Sequence, residues 1–210
     1  MISTYCGDII DLVKDESINA IVNPANHELA EGGTLCGEIY HHAGPVNLNH
    51  DLHSVRGIAE GSAIVTSGHN LCEWIIHTLA PRHDSKDKWE SLKRCYLSIA
   101  QLTSHLHHEA GLETVAVPAI GTGAFGLDQE RADEIAYNTL FGPATEELRF
   151  ANVVLVFIEH ERFERVLGKR AVRRFDRDDH LNWVTGLKVS EAKGLDNPFN
   201  LPQPRPSSSD

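Results

Sequence analysis

The chain has 210 residues, the length of one domain with an appendage. Hydrophobic residues make up 41% and charged residues 23%, a balance that suits a globular core. The formal net charge of -11 argues against a general nucleic-acid binder, because there is no basic excess to hold a phosphate backbone. An anionic ligand is still allowed, since converging backbone N–H groups set the local field. Cys6, Cys36, Cys72 and Cys95 form no CxxC pair and read as reduced thiols rather than a disulfide frame or a zinc site. The start of the chain has no basic stretch followed by a long apolar run, and no apolar run approaches the roughly 20 residues of a membrane span. A cytoplasmic or nuclear monomer with no membrane partner is expected.

In chain order, a first strand precedes Gly7 and an early helix carries Lys14. Apolar runs at Ala20–Val22, Ser62–Val65, Trp74–Leu79, Val115–Val117 and Val153–Ile158 read as strands. They are short, rich in β-branched residues and mostly not alternating, as strands buried on both faces are. Helices are predicted over Leu35–Ala43, Trp89–His108, Asp128–Leu140 and Glu161–Val166, with Asp128 as an N-cap lacking a capping box. Strands alternating with helices imply an α/β domain whose sheet lies between helical layers, with ligands beyond the carboxyl ends of the strands. The domain is expected to span residues 1–168. Residues 169–210 read as a charged, Pro/Ser-rich, partly disordered extension, in which Leu181, Trp183, Val184 and Leu187 offer one more element to dock.

Two segments carry the chemistry. Val22-Asn23-Pro24-Ala25-Asn26 delivers two asparagines from a strand into a turn, and Gly32-Gly33-Thr34-Leu35-Cys36-Gly37 opens a helix. Asparagine offers a donor and an acceptor to sugar hydroxyls, glycine lets the backbone approach a ligand, and the helix start aims N–H groups at an anion. Alone, this segment also reads as ordinary turn chemistry. The second segment, Gly121-Thr122-Gly123-Ala124-Phe125-Gly126, follows a buried strand. It is not the GxGxxG fingerprint, because Gly126 follows Gly123 too soon, and it lacks the Lys-Ser/Thr of a P-loop. Two phosphate-cradling loops on one crevice suggest a diphosphate with sugars on both sides.

The ordered set of Gly7-Asp8-Ile9, Val22–Asn26, Gly32-Gly33 with Gly37 and Ile39, and Gly121–Gly126 resembles the macrodomain pattern. Ala43-Gly44 and Trp74–Pro81 resemble two further markers, and the resemblance covers about residues 1–167. It implies a three-layer α/β/α fold around a central mixed, mostly parallel sheet. It also implies ADP-ribose, or an ADP-ribosylated protein, as the ligand, with no cofactor and no metal. Nucleic acid enters only as an ADP-ribosylated target.

The resemblance further assigns roles. Asp8 accepts a hydrogen bond from the adenine amino group, with the N–H of Ile9 beside it. Asn26 lies near the distal ribose and Asn23 supports that pocket. Gly32, Gly33, Thr34 and Cys36 in one loop, and Gly121, Thr122, Gly123, Ala124 and Phe125 in the other, wrap the diphosphate and distal ribose, with Phe125 packed on the sugar. Asn26, Gly33 and Cys36 form the expected catalytic set.

One departure divides the reading. In many hydrolytic macrodomains the first loop reads Gly-Gly-Gly-Val-Asp-Gly, and here Cys36 stands where that Asp orients the attacking water. Alphavirus-type macrodomains resemble this chain in carrying Cys there, and that group includes active hydrolases; the ligand's phosphate and the loop N–H groups then position the water. A thiol at a helix N-terminus is open to a lowered pKa, but no base partner is identifiable beside His27, His41 and His42, so Cys36 reads as a small packing residue lining the site ahead of a nucleophile. No Lys lies in either glycine loop, which disfavours a lysine nucleophile. Adjacent His41 and His42 diverge on a helix and make no i,i+4 metal pair, while His105, His107 and His108 read as a helix-end cluster. Hydrolysis of ADP-ribosyl esters or O-acetyl-ADP-ribose is the first reading, a non-catalytic reader the second, and an ADP-ribose 1″-phosphatase a weaker third.

Overall fold

A computed structural model describes residues 2–14, 18–53, 55, 57–148, 151–168 and 173–175. Its elements are β1 (Ile2–Cys6), α1 (Ile9–Lys14), β2 (Ala20–Ala25), α2 (Thr34–Ala43), α3 (Pro45–Leu52), β3 (Ala63–Ser67) and β4 (Trp74–Leu79). There follow α4 (Lys88–Ala110), β5 (Thr114–Pro118), α5 (Gln129–Leu140), a 3-10 turn at Pro143–Leu148, β6 (Asn152–Phe157), α6 (His160–Leu167) and β7 (Arg173–Arg174).

The strands form one sheet in the order β3-β4-β2-β5-β6-β1-β7. Every neighbouring pair is parallel except β3 with β4, so the sheet is mixed and mostly parallel. Alternation along the strands explains the near-continuous apolar runs. Ala20, Val22, Trp74, Ile76, Val153 and Leu155 face one core, shared with α4, α5 and α6. Ile21, Ile75, Val154 and Val156 face the other, shared with α1, α2 and α3. A strand covered on both faces has no polar side to show. The fold is therefore the expected three-layer α/β/α arrangement.

Local signals place the helix ends. Asp128 Oδ1 accepts the N–H of Arg131 at 3.0 Å and caps α5. Gly111, at φ 71°, ends α4 in the left-handed conformation that favours glycine.

Two sequence expectations change. Asn23 and Pro24 lie inside β2, paired in register with His77 and Thr78 of β4, not in the turn that follows. Near the C-terminus, β7 pairs with Ser3 and Thr4, Phe175 N–H donates to Thr4 O at 2.9 Å, and the Phe175 side chain is buried. Docking of Leu181–Leu187, like the remainder of the extension, falls outside the described residues.

Candidate functional site

Because β1, β2, β5 and β6 run parallel, their carboxyl ends open at the same edge of the sheet. The segments leaving them line a cavity of about 460 Å³. Asp8 and Ile9 arrive after β1, Asn26 after β2, Ala119–Phe125 after β5, and Ile158 and Glu159 after β6; Gly32–Cys36 close one wall. Asp8 Oδ1 accepts from the N–H groups of Ile10 (2.7 Å) and Asp11 (3.2 Å), capping α1 and leaving Oδ2 to meet a donor. Ile158 stands at the rim with 79% of its surface exposed, an apolar side chain held in water beside the cavity.

The first glycine loop is closed by its own contacts. Asn26 donates through Nδ2 to Ala30 O and accepts the Ala30 N–H at Oδ1, both at 3.0 Å. A Cβ at Gly37 would come 2.7 Å from Gly32 O, so only glycine allows the helix to pass this close to the loop. Helix α2 starts at Thr34 with Gly33 as N-cap and no side-chain cap, so its first-turn N–H groups lack a side-chain partner. Thr34 has φ 41°, a left-handed conformation that costs a β-branched residue about 1–3 kcal/mol.

The second loop is tied at its base and open at its crest. Leu127 N–H donates to Gly121 O (3.0 Å), Gly126 N–H to Gly123 O (2.9 Å), His83 N–H to Phe125 O (2.8 Å) and Ile120 N–H to Tyr96 Oη (3.4 Å). Burial pushes the Tyr96 hydroxyl well above the usual phenol range, so it stays protonated. Among the described residues, no N–H of 121–125 is spent inside the protein. Phe125 is half-buried against the core.

Cys36 sits between the loops, 5% exposed, with Sγ 3.7 Å from Ala30 O. Burial raises its pKa; contacts from Asn23 and the Gly32 N–H offset this in part, and the Glu31 charge adds to the rise. The same burial pushes Tyr40 up to about 12. Asn23 is fully buried and does not line the cavity. Its Nδ2 donates to His77 Nδ1 at 3.1 Å. Thr66 Oγ1 donates to Ser67 O (3.1 Å) and so accepts from His77 Nε2–H (2.9 Å), which assigns the imidazole its tautomer.

Arg162 was missed by sequence reasoning. It lines the cavity yet is 5% exposed, and it grips Asp133 through Nε (3.1 Å) and Nη2 (2.5 Å). Its one sequence signal was a place beside Phe163 and one turn before Val166, both on the buried face of α6.

A Macro domain family model matches residues 22–136 of the chain. The O-acetyl-ADP-ribose deacetylase 1 of Pantoea vagans is 34% identical over 79% of this chain and 96% of its own length. The human ADP-ribose glycohydrolase MACROD2 is 36% identical over 66% of this chain and 32% of its own length. The chain belongs to the macrodomain family. A solved structure of a mutant Oceanobacillus iheyensis macrodomain with ADPR matches this macrodomain with a TM-score of 0.66 at 25% identity, over 88% of this chain and 93% of that one.

Of the ligand residues expected in this macrodomain, the cavity gathers Asp8, Ile9, Asn26, Gly32, Gly33, Thr34, Cys36 and Gly121–Phe125. Asn23, expected among the ligand residues as a support of the pocket, does not line the cavity and stands behind its wall against Cys36 and His77. Cys36 is buried, and loss of solvation raises its pKa despite the contacts from Asn23 and Gly32, which disfavours a thiolate nucleophile. None of His27, His41 or His42 bonds to it; Lys14 and Glu38 are the neighbours of His42. We expect Cys36 to react with iodoacetamide at pH 7.5 at least about tenfold more slowly in the native protein than in urea, by mass spectrometry, since thiolate fraction and access both fall. Equal rates would show instead a thiol as accessible and as readily ionised as in the unfolded chain. Among the described residues, no cluster of His, Cys, Asp or Glu is arranged to hold a metal.

Proposed function

We propose that this macrodomain binds ADP-ribose and hydrolyses the ester that joins it to an acidic side chain, or to acetate in O-acetyl-ADP-ribose. One observation carries the binding: residues 121–125, whose five N–H groups are unspent, line the same cavity as the start of α2. Donors converging from two backbones suit a diphosphate, which accepts on every side. Asp8 Oδ2 takes the adenine amino group, the Ile9 N–H lies beside it, and Ile158 covers an adenine face. Phe125 packs on the distal ribose, and Asn26 turns one amide hydrogen to a ribose hydroxyl.

For the chemical step, Cys36 supplies neither base nor nucleophile. Water is held between a phosphate oxygen of the bound ligand and the loop N–H groups, so the rate rests on position and field more than on a protein base. The neutral thiol favours a second reading, a reader that binds ADP-ribosylated proteins and leaves them intact.

A mono-ADP-ribosylated protein and O-acetyl-ADP-ribose, each incubated with wild type and with Asn26→Ala, separate the two. Wild type is expected to release the label and Asn26→Ala to slow release about tenfold or more, the usual scale of losing one positioned polar group. Label retained on both substrates, with ADP-ribose still bound by calorimetry, leaves the reader. No heat of binding removes both readings.

A further inference from the structure

Among the residues that line the cavity, Arg162 is the one cation, facing the acids Asp8, Glu38 and Glu159. A buried guanidinium is costly unless its donors are met. Asp133 meets two of them, but it also takes Arg165 Nη2 at 3.2 Å. Two guanidiniums thus share one buried carboxylate, and Glu159, 3.6 Å from Nη1 and more than half exposed, is screened by solvent. The third nitrogen, Nη1, points away from Asp133 and donates to Thr122 Oγ1 at 3.3 Å; that hydroxyl in turn donates to Ala119 O at 3.3 Å. Thr122 lies within the run of unspent N–H groups. A pair serving only to join α5 and α6 would need neither the second arginine nor the bond to the loop.

We propose that Arg162 is a positioning residue for the anionic part of the ligand: it ties the crest of loop 121–125 to α6 and places the cavity's positive charge behind those N–H groups. This rests on the ADP-ribose reading and assigns its charge recognition to a residue outside both glycine loops. The bond through Thr122 fixes where the donors point. The charge sits where the dielectric is low, so a phosphate feels it more than it would a surface lysine.

The full chain as wild type, Arg162→Met, Arg162→Lys and Thr122→Val is titrated with ADP-ribose at several NaCl concentrations and with adenosine as the uncharged probe. Arg162→Met is expected to weaken ADP-ribose about tenfold or more, the range of one charge-assisted contact, and to flatten the salt dependence. Adenosine affinity should hold within about twofold, as the adenine end is untouched. Arg162→Lys should keep the salt dependence while losing part of the affinity, and Thr122→Val should lose several-fold for ADP-ribose alone. Should Arg162→Met fail to fold, Thr122→Val carries the comparison. Equal losses for both probes, or an unchanged salt slope, overturn the proposal. If wild type does not bind ADP-ribose, the functional reading falls separately. Amide hydrogen exchange of 121–125 then decides the anchor, faster in Thr122→Val if it exists and unchanged if it does not.

Discussion

Gly33→Glu is expected to abolish ADP-ribose binding while leaving the protein folded. Gly33 has φ -75° and ψ 164°, a conformation open to any residue, and a Cβ there meets no atom within 4 Å. The backbone therefore accepts a side chain at little cost, and a carboxylate at a helix N-terminus is itself favoured by the helix dipole. That carboxylate competes for the α2 N–H groups and repels a bound diphosphate. At about 5 Å and an effective dielectric near 20, one unit-charge repulsion amounts to about 3 kcal/mol, over a hundredfold in affinity. Calorimetry should find no binding where wild type binds, with a melting temperature shifted by no more than about 2 °C. Undiminished binding would mean that the anion lies elsewhere, and the α2 N-terminus would lose its role.

The second large effect concerns pH. Burial lowers the His77 pKa from 6.5 to about 3. The unfolded chain binds a proton at this histidine below pH 6.5 while the folded protein does not. Stability from His77 is thus fully present above pH 6.5 and falls as pH drops toward 3, by about 1.4 kcal/mol for each unit, close to 5 kcal/mol in all. That is comparable with the whole stability of a marginal domain. Urea unfolding at pH 6.5, 5.5 and 4.5 should show this loss in wild type and a slope smaller by about one proton in His77→Gln. Identical slopes, or an imidazole already protonated at pH 5 in the folded protein by NMR, would refute the account. Acid would also disturb the site, because a charged His77 no longer accepts from Asn23, which braces Cys36.

How much of this was legible varies residue by residue. The glycine loops could be read because their requirement is local: Gly37 tolerates no Cβ, and Gly121 adopts φ 78°. Strands β2, β4, β5 and β6 could be read because burial on both faces writes itself as an unbroken apolar run. Helix α3 escaped, since Pro45–Leu52 buries little beyond Leu48 and Leu52 and its polar residues hide the period. Strand β7 escaped because two arginines in a charged run carry no strand signal; pairing with Ser3 and Thr4 makes them one.

The same division runs through the site. Sequence alone determined the layered α/β class and the two glycine loops, because each is stated by residue type at short spacing. Tertiary structure decided that Cys36 is buried, which raises its pKa, that Asn23 works behind the wall, and that Arg162 and Asp133, 29 residues apart, stand under the second loop. The physical reason is burial. Protonation state and the role of a charge depend on the solvent removed around a group and the partners brought to it, and both come from segments distant in the chain.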